Sequence, residues 1–138
     1  MIGQNSRALV TAKTHRILCV EDDDSGRQLL QEWLELLGYE VFCLPDGREF
    51  MAVVADIVPD LVLLDLKLPY VDGFTLLEQL QQSHWHSIPA IVLSAYSLKP
   101  ERDRAMMLGC LHYVVKPTPL ESLQTLIQSE LADDSPTL

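Results

Sequence analysis

Residues 61–65 read Leu-Val-Leu-Leu-Asp, a continuous apolar run that ends at a carboxylate. Because its apolar residues are consecutive rather than alternating, the run predicts a strand that is covered on both faces. Four other runs have the same character, at residues 17–20, 41–44, 90–93 and 113–115. Five short, fully buried strands are therefore the framework from which the rest of the fold is predicted.

The segments between these runs have helical spacing instead. Leu30, Trp33, Leu34 and Leu37 form one apolar stripe, and Gly38 follows as a helix-ending glycine. Strands that alternate with helices at this pitch predict an α/β fold, in which a parallel sheet carries helices on both faces. Right-handed crossovers then make the sheet doubly wound.

Helix starts are predicted from capping residues. Asp24 or Ser25 is expected to cap the first helix, and Asp46 resembles the first residue of a capping box. Thr118 followed by Pro119 predicts the start of the last helix.

The chain length predicts one domain with short extensions. Of 138 residues, we assign 1–14 to an N-terminal extension, 15–131 to the domain and 132–138 to a C-terminal tail. Asp and Glu number 20 against 10 Lys and Arg, so the net charge is −10. Such a surface repels nucleic-acid phosphates and anionic lipids, so direct binding to nucleic acid or membrane is not expected.

The cysteines and the hydropathy predict a reducing, non-membrane setting. Cys19, Cys43 and Cys110 lie in or beside apolar runs, and none forms a Cys-x-x-Cys motif. We interpret them as small core residues in a cytoplasmic protein. No apolar stretch approaches the roughly 18 residues that a membrane helix needs.

Chemically active side chains follow four of the five strands. In open parallel sheets, sites form beyond the carboxyl ends of the strands. Carboxylates suit Mg²⁺, and a carboxylate beside such a metal can accept a phosphoryl group, with a lysine neutralising charge. The side chains at these four strand ends are Glu21 and Asp22, Asp65, Ser94, and Lys116.

Four motifs at these positions resemble the receiver domain of two-component response regulators. They are ILCVEDD (17–23), LVLLDLKLPYVDG (61–73), IVLSAYS (91–97) and YVVKP (113–117). The resemblance covers about residues 15–131. It implies a flavodoxin-like receiver fold, with five parallel strands in the order 2-1-3-4-5.

The resemblance implies roles for the acidic residues at the strand ends and for two residues near them. Asp65 is similar to the phospho-accepting aspartate, Asp22 to the main metal-binding carboxylate, and Glu21 to its acidic partner. Asp65 itself and the backbone carbonyl of Lys67 complete the implied site for Mg²⁺, for which Mn²⁺ can substitute. Lys67 and Tyr96 stand where the family tunes dephosphorylation, and their bulk predicts slow hydrolysis.

The resemblance also implies a switch. Ser94 is similar to the hydroxyl that moves to the phosphoryl group, and Lys116 to the lysine that pairs with it. Tyr113 is similar to the aromatic residue that turns inward when Ser94 moves. The bond before Pro117 is implied to be a cis peptide bond.

The implied function is a phosphorylation-controlled signalling module rather than an enzyme. A histidine kinase or a phosphotransfer protein would phosphorylate Asp65 and so change the binding of a downstream protein effector. Phosphorylation is also expected to allow two copies of the domain to form a dimer. One alternative is that the chain is a receiver fragment of a longer regulator or hybrid kinase. A second is a metal-dependent phosphohydrolase with an aspartate nucleophile, although Lys67 stands where such enzymes place a second Asp. A receiver that has lost phosphate acceptance fits poorly with the intact set of site residues.

Overall fold

The computed structural model describes residues 13–132. Five strands and five helices alternate along this part of the chain. In order they are β1 (Arg16–Val20), α1 (Asp24–Leu36), β2 (Glu40–Leu44), α2 (Phe50–Ile57), β3 (Leu61–Leu64), α3 (Gly73–Gln81), β4 (Ala90–Ser94), α4 (Lys99–Met107), β5 (His112–Val115) and α5 (Leu120–Leu131). Among the described residues, no helix is both long and apolar enough to cross a membrane.

The strands form one parallel sheet in the order β2-β1-β3-β4-β5. Cys19 pairs with Cys43 on β2 and with Leu63 on β3, which fixes the register in the middle of the sheet. The predicted fold class and strand order are confirmed.

Each face of the sheet packs against its own helices. Phe50, Leu76 and Ala105 bring α2, α3 and α4 onto one face, where they are almost completely buried. Leu34 and Ile127 bring α1 and α5 onto the other face. Because both faces are covered, β1, β3 and β4 must be apolar at consecutive positions, as their sequences are.

The helix starts differ from the predicted caps. The cap of α1 is Asp23, whose carboxylate accepts a hydrogen bond from Gly26 N at 2.7 Å, so the prediction of Asp24 or Ser25 is wrong by one or two residues. Asp46 does not cap α2, because its carboxylate binds the backbone and guanidinium of Arg48 instead.

The last helix also begins without the predicted cap. Pro119 is the capping position of α5, and no side chain caps it. The Thr118 hydroxyl instead donates to Val115 O, back toward the strand that it follows. The predicted extension 1–14 and tail 132–138 lie outside the described residues, apart from residues 13, 14 and 132.

Candidate functional site

Backbone hydrogen bonds continue past the strand ends and bring the site residues to one edge of the sheet. Glu21 N donates to Leu44 O, and Asp65 N donates to Val20 O, each at 3.1 Å. Lys116 N donates to Ser94 O at 2.8 Å. The groups that follow β1, β3, β4 and β5 therefore meet at the carboxyl edge of the sheet, as the sequence predicts.

Three carboxylates form the centre of this edge. One oxygen from each of Glu21, Asp22 and Asp65 lies within 4.8 Å of the other two. Glu21 is 4% exposed and Asp65 is 8% exposed, whereas Asp22 is open to solvent. Like charges this close, two of them largely out of water, repel one another unless a cation intervenes.

Lys116 supplies part of the compensating charge. Its ammonium group donates to Glu21 Oε1 at 2.6 Å and to Asp65 Oδ2 at 3.0 Å. Burial lowers the pKa of Lys116, but the hydrogen bonds to the two carboxylates outweigh it, so the pKa lies above its usual value of 10.5. One lysine thus bridges two acids and leaves the three-carboxylate group with an excess of negative charge.

The donor set fits a hard divalent cation. Mg²⁺ prefers carboxylate oxygens and binds through few protein ligands, which is what Glu21, Asp22 and Asp65 offer. These acids line a cleft of about 350 Å³ that is open to solvent. Its other lining residues are Asp23, Lys67, Ser94, Ala95, Tyr96 and Lys116.

Ser94 connects the cleft to the loop that precedes α4. It is 1% exposed, and its hydroxyl oxygen accepts a hydrogen bond from Tyr96 N at 3.0 Å. The Tyr113 hydroxyl in turn donates to Tyr96 O at 2.9 Å. Burial raises the pKa of Tyr113, although a contact with Ser94 opposes the shift. Ser94, Tyr96 and Tyr113 therefore form one continuous hydrogen-bonded group.

Lys67 lies on the loop between β3 and α3. It is exposed at the rim of the cleft, and its backbone N–H donates to Asp65 Oδ1 at 3.2 Å. The same loop is held from outside by Arg48, whose guanidinium stacks 3.8 Å from the ring centre of Tyr70. The Lys116–Pro117 peptide bond at the other side of the cleft is cis.

Two residues that support the site were missed in the sequence. Gly73, at the start of α3, approaches the site so closely that a Cβ there would lie 2.3 Å from Asp65 O. Arg27 on α1 donates to Glu21 O at 3.0 Å and pairs with Asp24. Gly73 itself was a usable signal, because glycine is favoured where the backbone must approach another group closely.

The other acids and histidines near these motifs have local partners. Asp23 caps α1, as described above, and Asp24 pairs with Arg27 at 2.7 Å. His86 contacts Ser83 O, and His84 packs edge-on against Trp85, in the connection that precedes β4. None of these residues belongs to the three-carboxylate group among the described residues.

Comparison with known proteins assigns the family. The family model for the response regulator receiver domain matches residues 17–128. Regulatory protein AtoC of Escherichia coli (strain K12) is 36% identical over 117 residues, which are 85% of this chain and 25% of AtoC. The chain spans from a quarter to about half of the length of such curated relatives.

Two solved structures show the same fold. Chemotaxis protein CheY4 of Vibrio cholerae has a TM-score of 0.81 at 26% identity, over 86% of this chain and all of CheY4. The receiver domain of a sensor histidine kinase from Pseudomonas aeruginosa PAO1 has a TM-score of 0.80 at 26% identity, over 87% of this chain and 99% of that one. That structure has a magnesium ion coordinated in its active-site cleft. With the family model covering most of its length, the chain belongs to the response regulator receiver domain family.

Proposed function

We propose that Asp65 accepts a phosphoryl group from a histidine kinase or a phosphotransfer protein, and that this modification controls the binding of a protein partner. The observation that carries the proposal is the carboxyl edge of the sheet. Three carboxylates lie within 4.8 Å of one another there, and Lys116 bridges two of them. A buried carboxylate that contacts an ammonium group, within an acidic cluster that can hold a divalent cation, is suited to phosphoryl acceptance.

The donor set fits Mg²⁺, with Mn²⁺ as a substitute. Glu21, Asp22, Asp65 and the backbone carbonyl of Lys67 would hold the ion. When bound, it supplies positive charge to the oxygens of the incoming phosphoryl group. The family relationship and the geometry of the carboxylates support this assignment.

The residues of the chain supply the rest of the chemistry. An oxygen of Asp65 attacks the phosphorus, the bond from phosphorus to the donor nitrogen breaks, and an acyl phosphate remains on Asp65. Lys116 already reaches Asp65 Oδ2 and is placed to neutralise the phosphoryl oxygens. The Ser94 hydroxyl accepts from Tyr96 N, so its own O–H would be the donor to one of those oxygens.

The hydrogen bonds of Ser94 suggest how phosphorylation reaches the surface. Moving Ser94 toward the phosphoryl group disturbs its bond with Tyr96 N, and Tyr96 O is the acceptor for the Tyr113 hydroxyl. The guanidinium of Arg102, on α4, lies 5.8 Å from the Tyr113 ring centre, so a movement of Tyr113 would also change the contacts of α4. Coupling of this kind is typically about 1–3 kcal/mol, which changes partner affinity by roughly 5- to 150-fold.

The expected output surface is the face formed by α4, β5 and α5, together with the loop before α4. It includes Tyr96, Lys99, Arg102, His112 and Tyr113. A downstream protein, or a second copy of the domain after phosphorylation, would bind there. This is a cytoplasmic signalling role in which the domain itself turns over no substrate beyond its own slow phosphorylation and dephosphorylation.

Lys67 and Tyr96 are proposed to prolong the phosphorylated state. Both side chains are exposed at the rim of the cleft that contains Asp65. Their bulk would hinder a water molecule that approaches the acyl phosphate. We expect Lys67→Ala and Tyr96→Ala to shorten the lifetime of phosphorylated protein, measured by the loss of label after removal of the donor. Unchanged lifetimes in both variants would contradict this role.

The direct test is intact mass spectrometry after incubation with Mg²⁺ and a small phosphodonor such as acetyl phosphate. We expect one added phosphoryl group that acid and base remove. Asp65→Asn should abolish the addition, whereas Asp60→Asn, at the opposite edge of the sheet, should leave it unchanged. Sustained release of phosphate without lasting modification would instead support the metal-dependent phosphohydrolase.

A further inference from the structure

Cys19 and Cys43 occupy directly paired positions on neighbouring parallel strands. The register joins Cys19 of β1 to Cys43 of β2, and both side chains belong to the core between the sheet and helices α1 and α5. Neighbouring strands lie about 4.8 Å apart. That spacing falls within the roughly 4.4–6.8 Å range of Cα separations that disulfides span.

The two thiols differ in access. Cys19 is completely buried on β1, which lies inside the sheet next to β2. Cys43 is partly exposed on β2, which is the edge strand. A small oxidant can therefore reach Cys43 at the free edge of the sheet, whereas Cys19 has no surface in contact with solvent. The arrangement gives different chemical environments to two residues that the sequence predicts only as small core residues.

The surroundings of Cys43 favour the reactive form of its thiol. A hydrogen bond with Cys19 lowers the pKa of Cys43; burial opposes this shift, Arg27 adds to it and Glu35 opposes it, and the net pKa lies below the usual value of a cysteine. The thiolate is the nucleophilic form of cysteine. Cys110 offers the contrast, because burial raises its pKa to about 11 and it lies on the opposite face of the sheet beside Met106.

We propose that Cys43 is a site of oxidation by hydroperoxides, with Cys19 as the thiol that converts the product into a disulfide. The Cys43 sulfur attacks one peroxide oxygen, the O–O bond breaks, and the released hydroxide takes a proton to form water. The Cys19 sulfur then attacks the Cys43 sulfur of the sulfenic acid, the S–O bond breaks, and a second water leaves with the Cys19 proton. Two thiols and one hydrogen peroxide thus give one disulfide and two waters. This chemistry does not depend on phosphorylation at Asp65.

The sequence makes the products easy to separate. Trypsin places the three cysteines on different peptides, with Cys19 in residues 17–27, Cys43 in residues 28–48 and Cys110 in residues 105–138. After treatment of the folded, reduced chain with hydrogen peroxide, we expect the intact mass to fall by two hydrogens. Peptides 17–27 and 28–48 should then be joined by a bond that a reductant cleaves.

Variants separate the two roles. Cys19→Ser should stop the reaction at a sulfenic acid on Cys43, which dimedone traps, and Cys43→Ser should remain unmodified. Cys110→Ser is the matched control and should oxidise like the wild type. With iodoacetamide, Cys43 of the folded chain should react at least about tenfold faster than Cys110.

The wild-type chain alone can overturn the proposal, so the outcome does not depend on the variants folding. If the folded protein keeps both thiols under peroxide while urea-unfolded protein forms the disulfide, the native pairing does not support the reaction. A cross-link that includes the Cys110 peptide would equally contradict it.

Discussion

The two edges of the sheet arrange their charged groups in opposite ways. At the amino edge, Arg16 pairs with Glu40 at 3.1 Å, and Lys13 pairs with Asp60 at 3.0 Å. Each of these acids has a basic partner of its own in contact with solvent. At the carboxyl edge, Glu21 and Asp65 are largely buried and share the single ammonium of Lys116.

The difference distinguishes charges that keep the surface hydrated from charges that form a site. Exposed one-to-one pairs change the free energy of unfolding little, because water solvates their charges almost as well as the partner does. A buried excess of negative charge costs stability when it is unpaired, and a bound cation relieves that cost. The predictions below alter one edge at a time, beginning with the largest expected effect.

Removing Lys116 should have the largest effect. Lys116→Met keeps much of the side-chain volume but deletes the only ammonium that contacts both Glu21 and Asp65 among the described residues. We expect phosphorylation by a small phosphodonor to slow by about 100-fold or more, as for loss of a single charge-stabilising donor. The rate is measured by intact mass spectrometry over time. Lys99→Met, which removes an exposed lysine paired with Asp103, is the control and should phosphorylate at the wild-type rate.

Mg²⁺ should stabilise the fold through the three carboxylates. At a concentration about 100 times its dissociation constant, a ligand that binds only the folded state adds about 2.7 kcal/mol to the free energy of unfolding. We expect Mg²⁺ to raise the melting temperature of the wild type, and to raise it much less in Asp22→Ala. Without the metal, Asp22→Ala should melt at or above the wild-type temperature, because it removes one of three mutually repelling charges.

The control for this prediction is Asp24→Ala, which removes an exposed acid of α1 that is outside the three-carboxylate group. Its melting temperature should respond to Mg²⁺ as the wild type does. An equal loss of the Mg²⁺ response in both variants would show that the net charge of the region, rather than the specific donors, holds the ion.

A methyl group at Gly73 should disturb the carboxyl edge through the backbone of Asp65 and Leu66. The Cβ of Gly73→Ala would lie 2.3 Å from Asp65 O and 2.6 Å from Leu66 Cα, so backbone atoms must move. We expect the free energy of unfolding to fall by about 1–3 kcal/mol, the usual cost of overpacking, together with weaker binding of Mg²⁺. Urea unfolding and calorimetric titration measure the two effects. Wild-type values of both would mean that the loop accommodates the methyl group.

Most of the fold could be predicted from the sequence, because strands that are buried on both faces have consecutive apolar residues. The runs at β1, β3 and β4 are apolar at every position that the helices cover, and right-handed crossovers make the sheet doubly wound. The exact strand order was implied by the resemblance to receiver domains. The site residues were predictable for the same reason. Asp65, Ser94 and Lys116 directly follow or end apolar runs, and parallel strands align their carboxyl ends.

The errors came where two local interactions compete for one side chain. Asp46 could cap a helix or bind Arg48, and the structure shows the second. Thr118 could cap α5 or bind back to Val115, and again the contact outside the helix is formed. Such choices depend on where the neighbouring backbone lies, which spacing along the chain does not encode. The close approach of Gly73 to Asp65 is likewise a contact in space.

Alkaline pH should affect the carboxyl edge through Lys116. Its pKa is raised in the folded state by Glu21 and Asp65, so the folded chain holds this proton more tightly than the unfolded chain does. Its contribution to stability is therefore complete below the unfolded pKa of 10.5 and is lost as the pH rises through the folded pKa. Urea unfolding at about pH 9 and pH 11 should show a smaller loss of stability in Lys116→Met than in the wild type. Equal losses would assign the alkaline sensitivity to other groups.

The smallest effect should come from the amino edge, and a matched pair of substitutions makes the comparison direct. Glu40→Gln removes the charge that Arg16 contacts, where both side chains are nearly half exposed. Arg16 keeps its second bond, to Ile57 O at 2.8 Å, so we expect the free energy of unfolding to change by less than about 0.5 kcal/mol.

Glu21→Gln is the same chemical change at the carboxyl edge, where Glu21 is buried against Lys116, and it should weaken Mg²⁺ binding and slow phosphorylation. Urea unfolding and the phosphorylation rate, measured for both variants, test whether the position of a charge in the sheet decides its effect. If Glu40→Gln slowed phosphorylation as much as Glu21→Gln, the contrast between the two edges would be wrong, because the charge would then act through the net field of the protein.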